Sequence, residues 1–269
     1  MILYGRNPVR EALRGRRAHN VSEVWATASA ARESWLDGVR VRVCAAEEIE
    51  QRCGSPVHQG VCAEAGGYPY VAPDELLAVA DPLIVALDQV QDPQNLGSIC
   101  RTAECAGATG VVIPERRSAE VTSAVCKASA GAVEHIRIAR VRNIADFLLE
   151  AGRAGCWSYG ASAPIPSSTA RRESPADRGE PAQSARTRAG EGDGSQPSVA
   201  YTVPDYSGGV VLVLGSEGSG LRPRVAASCD QLVYLPMHGR MESLGVAAAS
   251  AALLYGILHG RERALDKAP

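Results

Sequence analysis

The chain has 269 residues, 45% of them hydrophobic, and a net charge of −2, enough apolar material for one large domain or two smaller ones. No apolar run reaches the roughly 18 residues that span a bilayer, and the start MILYGRNPVREALRGRR has charges and Pro where a signal peptide needs an apolar core, so a cytoplasmic protein is expected. Eight scattered cysteines without a CxxC pair and five unclustered His argue for reduced, mostly buried thiols and against a metal site.

Residues 1–72 read as a small α/β unit. Asn7-Pro8 is expected to open a helix, with Asn7 as N-cap and Pro8 at the first helical position. Strands are expected at 21–25, 39–43 and 60–63, and a helix at 47–53. The first twenty residues carry Arg6, Arg10, Arg14, Arg16 and Arg17 against Glu11 alone, a cluster suited either to phosphates or to a plain solvated helix face. Gly66-Gly67 and two prolines mark a change of unit, and residues 73–81 are read as a linker.

From residue 82 to 263, strand and helix patterns alternate. Strands are expected at 83–87, 110–113, 136–141, 156–161, 210–214 and 231–235; helices at 96–106, 123–130, 144–154 and 244–259. The run LIVAL is continuously apolar, as in a strand buried on both faces. This alternation predicts a parallel sheet with helices on both faces. Residues 164–198 break the pattern, with no Val, Leu, Phe, Tyr or Trp, and are expected to be a disordered insertion.

Three segments carry chemistry. In LDQVQDPQNLGSICRTAECAG a buried strand leads into a polar loop with Asp88, Asp92 and Asn95, and Arg101 follows on a helix. Polar groups at the carboxyl end of a parallel strand are where such sheets place ligands. Arg101 could equally be a surface residue paired with Glu104, three positions on. In VLVLGSEGSGL, Gly215, Gly218 and Gly220 give the spacing GxxGxG, which is neither the dinucleotide fingerprint nor the P-loop, and Glu217 sits among them. Third, LPMHGRMESLGVAAASAALLY runs from a strand end through a loop with Ser243 into an Ala-rich helix built for close packing.

In this order the three segments resemble the SpoU (TrmH-type) RNA ribose 2′-O-methyltransferases, over about residues 80 to 260. YGRNPVREAL and HQGV are similar to the small RNA-binding domain of the rRNA-modifying branch. The resemblance implies S-adenosylmethionine as cofactor, a trefoil knot in the C-terminal domain, and a homodimer with its active site near the interface. It implies Arg101, Asn95, Glu217 and Ser243 as catalytic residues, and Gly215, Leu235, Met237 and Leu244 as cofactor contacts. Arg6, Arg14, Arg16 and Arg17 become the RNA-binding residues. The implied substrate is 23S rRNA guanosine. Alternatives are 23S rRNA adenosine, as in antibiotic-resistance enzymes, tRNA, or a catalytically weak RNA-binding relative. One departure stands out: where the family has SLNVS this chain has Ser243-Leu244-Gly245-Val246-Ala247, so the Asn is absent.

Overall fold

The structure, a computed structural model, describes residues 1–163, 197–241 and 243–265. The N-terminal unit contains β1 (Ile2–Tyr4), α1 (Arg6–Arg14), β2 (Val21–Ala26), β3 (Val41–Val43), α2 (Ala46–Cys53) and β4 (Val61–Ala65). Its sheet has the order β1-β4-β2-β3, with β4 antiparallel to both neighbours and β2 parallel to β3. The helix α1 starts at Arg6, ahead of the expected Asn7-Pro8 start, because Gly5 makes the turn out of β1 with φ 95°. At that φ a residue with a β-carbon is strained, which is why the turn carries Gly. Val9 and Ala12 of α1 are fully buried.

The region read as a linker contains a short helix, α3 (Pro73–Leu77), with Pro at its start and Glu75 Oε1 accepting from the Ala72 amide at 3.0 Å. Then follow β5 (Leu83–Asp88), α4 (Pro93–Cys105), β6 (Gly110–Pro114), α5 (Ser123–Ala128), β7 (Arg137–Val141), α6 (Ile144–Arg153) and β8 (Trp157–Ala161). After the insertion come β9 (Ser198–Ala200), β10 (Val210–Gly215), α7 (Pro223–Ser228), β11 (Gln231–Tyr234) and α8 (Val246–Leu265). Residues 164–196 of the expected insertion lie outside the described residues. Its last residue does not belong to it: Ser198 begins β9, which pairs with β11.

Seven strands form one sheet in the order β7-β6-β5-β10-β8-β11-β9, and every pair is parallel. Alternation along β5 divides the core. Leu83, Val85 and Leu87 face one hydrophobic layer, which also takes in α4, α8 and the N-terminal unit. Ile84 and Ala86 face the other, with α6 and α7. The helix α4 begins three residues earlier than its apolar pattern indicates. Asp92 caps it, accepting from the amides of Gln94 (3.1 Å) and Asn95 (3.3 Å), and Pro93 takes the first position. The helix α8 packs against α4. Farther along, Gly256 sits under the Tyr201 ring, where a β-carbon would come within 2.5 Å. Among the described residues no helix is long and apolar enough to cross a membrane.

Candidate active site

A cavity of about 590 Å³ opens at the carboxyl ends of β8, β10 and β11. Its first wall is the turn after β10. Ser216 and Gly220 exchange backbone hydrogen bonds (3.1 and 3.0 Å), folding residues 216–220 into a small closed loop. Gly218 and Gly220 adopt φ 85° and 65°, where other residues are strained. The loop returns directly over Gly215, so a β-carbon there would collide with the Gly220 carbonyl and the Leu221 amide. Backbone groups therefore face the cavity without intervening side chains.

Leu235 and Met237, just past β11, supply the second wall, and Ser243, Leu244 and Gly245 the third. Val246, Ala249 and Leu253 of α8 form the back. Glu217 also lines the cavity, and a β-carbon at Gly245 would lie 3.7 Å from its Oε1. The second and third segments thus bring together Gly215, Glu217, Leu235, Met237, Ser243 and Leu244. Leu244 is 48% exposed, leaving an apolar lip at the mouth.

One support was not legible in the sequence. Asp88 ends β5 in register with Gly215 and is fully buried. It accepts from the Arg222 amide at 2.9 Å and Nε at 2.8 Å, with Arg222 Nη2 at 2.7 Å from Oδ1. The glycine loop is therefore held at both ends, at β10 and at the start of α7. An Asp closing an apolar strand was the available signal; its Arg partner lies 134 residues on.

Arg101 and Asn95 are not at this cavity. Asn95 sits half-buried in the first turn of α4. Arg101 is exposed on α4 and borders a second cleft, shared with α1. Glu104 borders the same cleft, but no ion pair links it to Arg101. Of the basic residues, Arg6 is exposed and pairs with Glu33 at 2.9 Å, Arg14 is exposed, and Arg16 is half-buried with its Nη1 unpartnered among the described residues. Arg17 is a correction. It is fully buried, with Nε 2.8 Å from Glu134 Oε2, Nη2 on Glu134 Oε1, and its guanidinium over the Tyr68 ring. A cation enclosed in this way has no surface to offer a phosphate.

The donor set suits a nucleoside-sized ligand carrying a small charged group: apolar side chains for a flat base, backbone groups for its polar edges, and one carboxylate at the mouth. A parallel α/β sheet with a glycine-formed ligand cavity at its carboxyl edge defines the class, a nucleotide-type-cofactor α/β enzyme. The profile of the SpoU rRNA Methylase family matches residues 82–255, and that of the RNA 2′-O ribose methyltransferase substrate-binding domain matches residues 2–71. The chain belongs to the SpoU rRNA methylase family, and it is an RNA methyltransferase of that family. It is 35% identical over 229 residues to a putative TrmH family tRNA/rRNA methyltransferase, YacO, of Bacillus subtilis (strain 168), covering 83% of this chain and 79% of the relative. The same identity and coverage hold for the 23S rRNA (guanosine-2′-O-)-methyltransferase RlmB of Xanthomonas campestris pv. campestris. Among solved structures, an AdoMet-bound rRNA methyltransferase from Sinorhizobium meliloti superposes with a TM-score of 0.71 at 25% identity, over 96% of this chain and 86% of that one.

Proposed function

We propose that the protein is a cytoplasmic S-adenosylmethionine-dependent ribose 2′-O-methyltransferase acting on 23S rRNA, with guanosine as the modified nucleoside. The carrying observation is the cavity that joins Gly215 of the glycine loop to Leu235, Met237 and Leu244 of the segment after β11. The 35% identity to a relative named for 23S rRNA guanosine methylation supports the choice of substrate. In this reading residues 1–72 hold the RNA and residues 82–263 carry out the transfer. The trefoil knot belongs to the same reading, with β10 inserted between β5 and β8 after the chain has passed to the sheet edge and back.

The cofactor supplies an electrophilic methyl group on a sulfonium. Gly215 would present backbone to it at close range, and Leu235, Met237 and Leu244 would hold its apolar part and exclude water. Glu217 and Ser243 stand at the mouth, where the ribose hydroxyl arrives. Arg101 and Asn95 do not border the cavity of their own chain, so a homodimer supplies them from a second copy. Arg6, Arg14 and Arg16 hold the RNA backbone. An Arg side chain has a pKa above about 12 and is a poor base. Arg101 therefore acts by stabilising the developing alkoxide or holding the adjacent phosphate. Alignment of two reactants is worth roughly 7–11 kcal/mol, against about 10²–10⁴-fold for a general base.

The test is transfer of labelled methyl from S-adenosylmethionine to unmodified 23S rRNA or to tRNA, followed by mapping of the methylated ribose. Transfer to a 23S rRNA guanosine is expected. Transfer to adenosine or tRNA would change the substrate, and RNA binding without transfer would identify an inactive relative. Arg101→Ala is expected to lower kcat by about 10²–10³-fold with cofactor affinity unchanged; full activity would remove the role given to Arg101.

A further inference from the structure

The second cleft, about 360 Å³, lies where the N-terminal unit meets the helical layer of the parallel sheet. Asn7, Arg10 and Glu11 of α1 face Arg101 and Glu104 of α4 across it, with His135 at one end. Glu11 is already engaged: it accepts from Arg10 Nε at 2.8 Å and meets His135 Nε2 at 2.9 Å. Arg10 nevertheless keeps 39% of its side chain exposed. The Arg101 side chain forms no hydrogen bond or ion pair with any described residue. Arg6, Arg10 and Arg14 follow one another at intervals of four along α1, a basic row that leads past the cleft.

Direct contacts tie the two sides of the cleft together. Residues 134 and 135 hold α1 and the turn that follows it at two points. Glu134 pairs with buried Arg17, and its carbonyl accepts from the Arg16 amide at 3.0 Å. Tyr68 from the N-terminal unit donates to the carbonyls of Val133 (2.7 Å) and Ile136 (3.1 Å). The floor turns through Ala130, a residue with a β-carbon held at φ 52°, and Gly131, at φ 89°. A β-carbon at Gly131 would lie 2.7 Å from Glu11 Cβ, so α1 rests directly on this turn. A strained non-Gly residue in a fixed, polar cleft is the kind of feature that gathers at ligand sites.

We propose that this cleft receives the sugar–phosphate backbone of the substrate RNA beside the modified nucleotide, with Arg10 and Asn7 as positioning residues next to Arg101. The proposal rests on the RNA-methylation reading above. Two guanidinium groups and an amide are donors for phosphate and ribose oxygens. No Phe, Tyr or Trp among the described residues lines the cleft, so it lacks a platform for a stacked base. Glu104 is the carboxylate left over; a ribose hydroxyl can donate to it, which a phosphate cannot. Sugar and phosphate together satisfy the whole set.

The experiment is filter binding of radiolabelled, unmodified 23S rRNA transcript to the full-length protein over a series of NaCl concentrations. S-adenosylmethionine affinity is measured in parallel by calorimetry. Arg10→Ala is expected to weaken RNA binding about ten-fold and to reduce the salt slope by about one, with cofactor affinity unchanged. Arg10→Lys should keep the slope. Asn7→Ala should cost about three-fold without altering the slope, since no charge is lost. Arg153→Ala, on α6 in the opposite layer, should match the parent protein. An Arg10→Ala variant with parental affinity and slope overturns the cleft assignment while leaving the methylation reading intact. So does a parallel loss of cofactor affinity, which would mark Arg10 as merely structural. A parent protein that neither binds nor methylates RNA overturns the reading itself, and the cleft with it.

Discussion

Gly215 and Gly245 both line the cavity, and they are glycines for different reasons. At Gly215 the Gly220 carbonyl occupies the place of a side chain. Gly215→Ala must push the loop off β10, and a loss of about 1–3 kcal/mol in urea denaturation is expected, with cofactor binding abolished in calorimetry. At Gly245 the nearest atom to a new β-carbon is Glu217 Oε1, at 3.7 Å, which is ordinary contact. A β-carbon at Gly245 therefore fits, and Gly245→Asn would bring an amide toward the Glu217 carboxylate. An increase of about ten-fold in kcat is expected, read by methyl transfer at saturating RNA; an unchanged kcat would show that the missing Asn does not limit turnover. The close-approach role of Gly215 could be inferred from the GxxGxG spacing. The space beside Gly245 could not, because Glu217 reaches it from another segment.

At the scale of the element, α1 shows how local rules and tertiary contacts divide the work. Its apolar positions Val9 and Ala12 announced a helix with one buried face, but its start was set by Gly5 and the strand before it. Its Glu11 belongs to tertiary structure. Burial alone would raise this carboxyl; hydrogen bonds with His135 and Arg10 outweigh burial and hold it below the usual carboxylate range. A folded-state value below the unfolded one, roughly 4.3, adds stability that is complete above the unfolded value. That stability fades as pH falls through the folded value. The thermal midpoint of Glu11→Gln should lie below that of the parent at neutral pH and converge with it in acid. Parallel curves from pH 7 to 3 would refute the pairing. The strand β9 was missed for a related reason: three residues after a biased segment carry little pattern, and pairing with β11 is what makes them a strand.

At the scale of the molecule, the buried Arg17–Glu134 pair joins the N-terminal unit to the parallel-sheet unit across 117 residues of sequence. Burial disfavours the charged form of Arg17, and the bonds to Glu134 outweigh that and raise its pKa. Glu134→Gln leaves a buried cation without its counter-charge. A loss of about 3–5 kcal/mol is expected in urea denaturation, and the volume-matched double variant Arg17→Met with Glu134→Leu should recover most of it. Because the pair and the shared hydrophobic layer tie the two units together, fluorescence and circular dichroism should report one coincident transition. Two separated transitions would mean that the units unfold independently.

By itself the sequence determined the alternation of strands and helices, the small leading unit, the glycine loop and the three segments that mark the family. These follow from periodicity and turn chemistry, which act over a few residues. Only the tertiary structure decided that six of the anticipated site residues share one cavity while Arg101 faces α1 across another. It also decided that Arg17 is sealed inside and that Asp88 finds Arg222. Whether a charge meets solvent, a ligand or a buried partner depends on contacts made across more than a hundred residues, and those contacts exist only when the sheets and helices have packed.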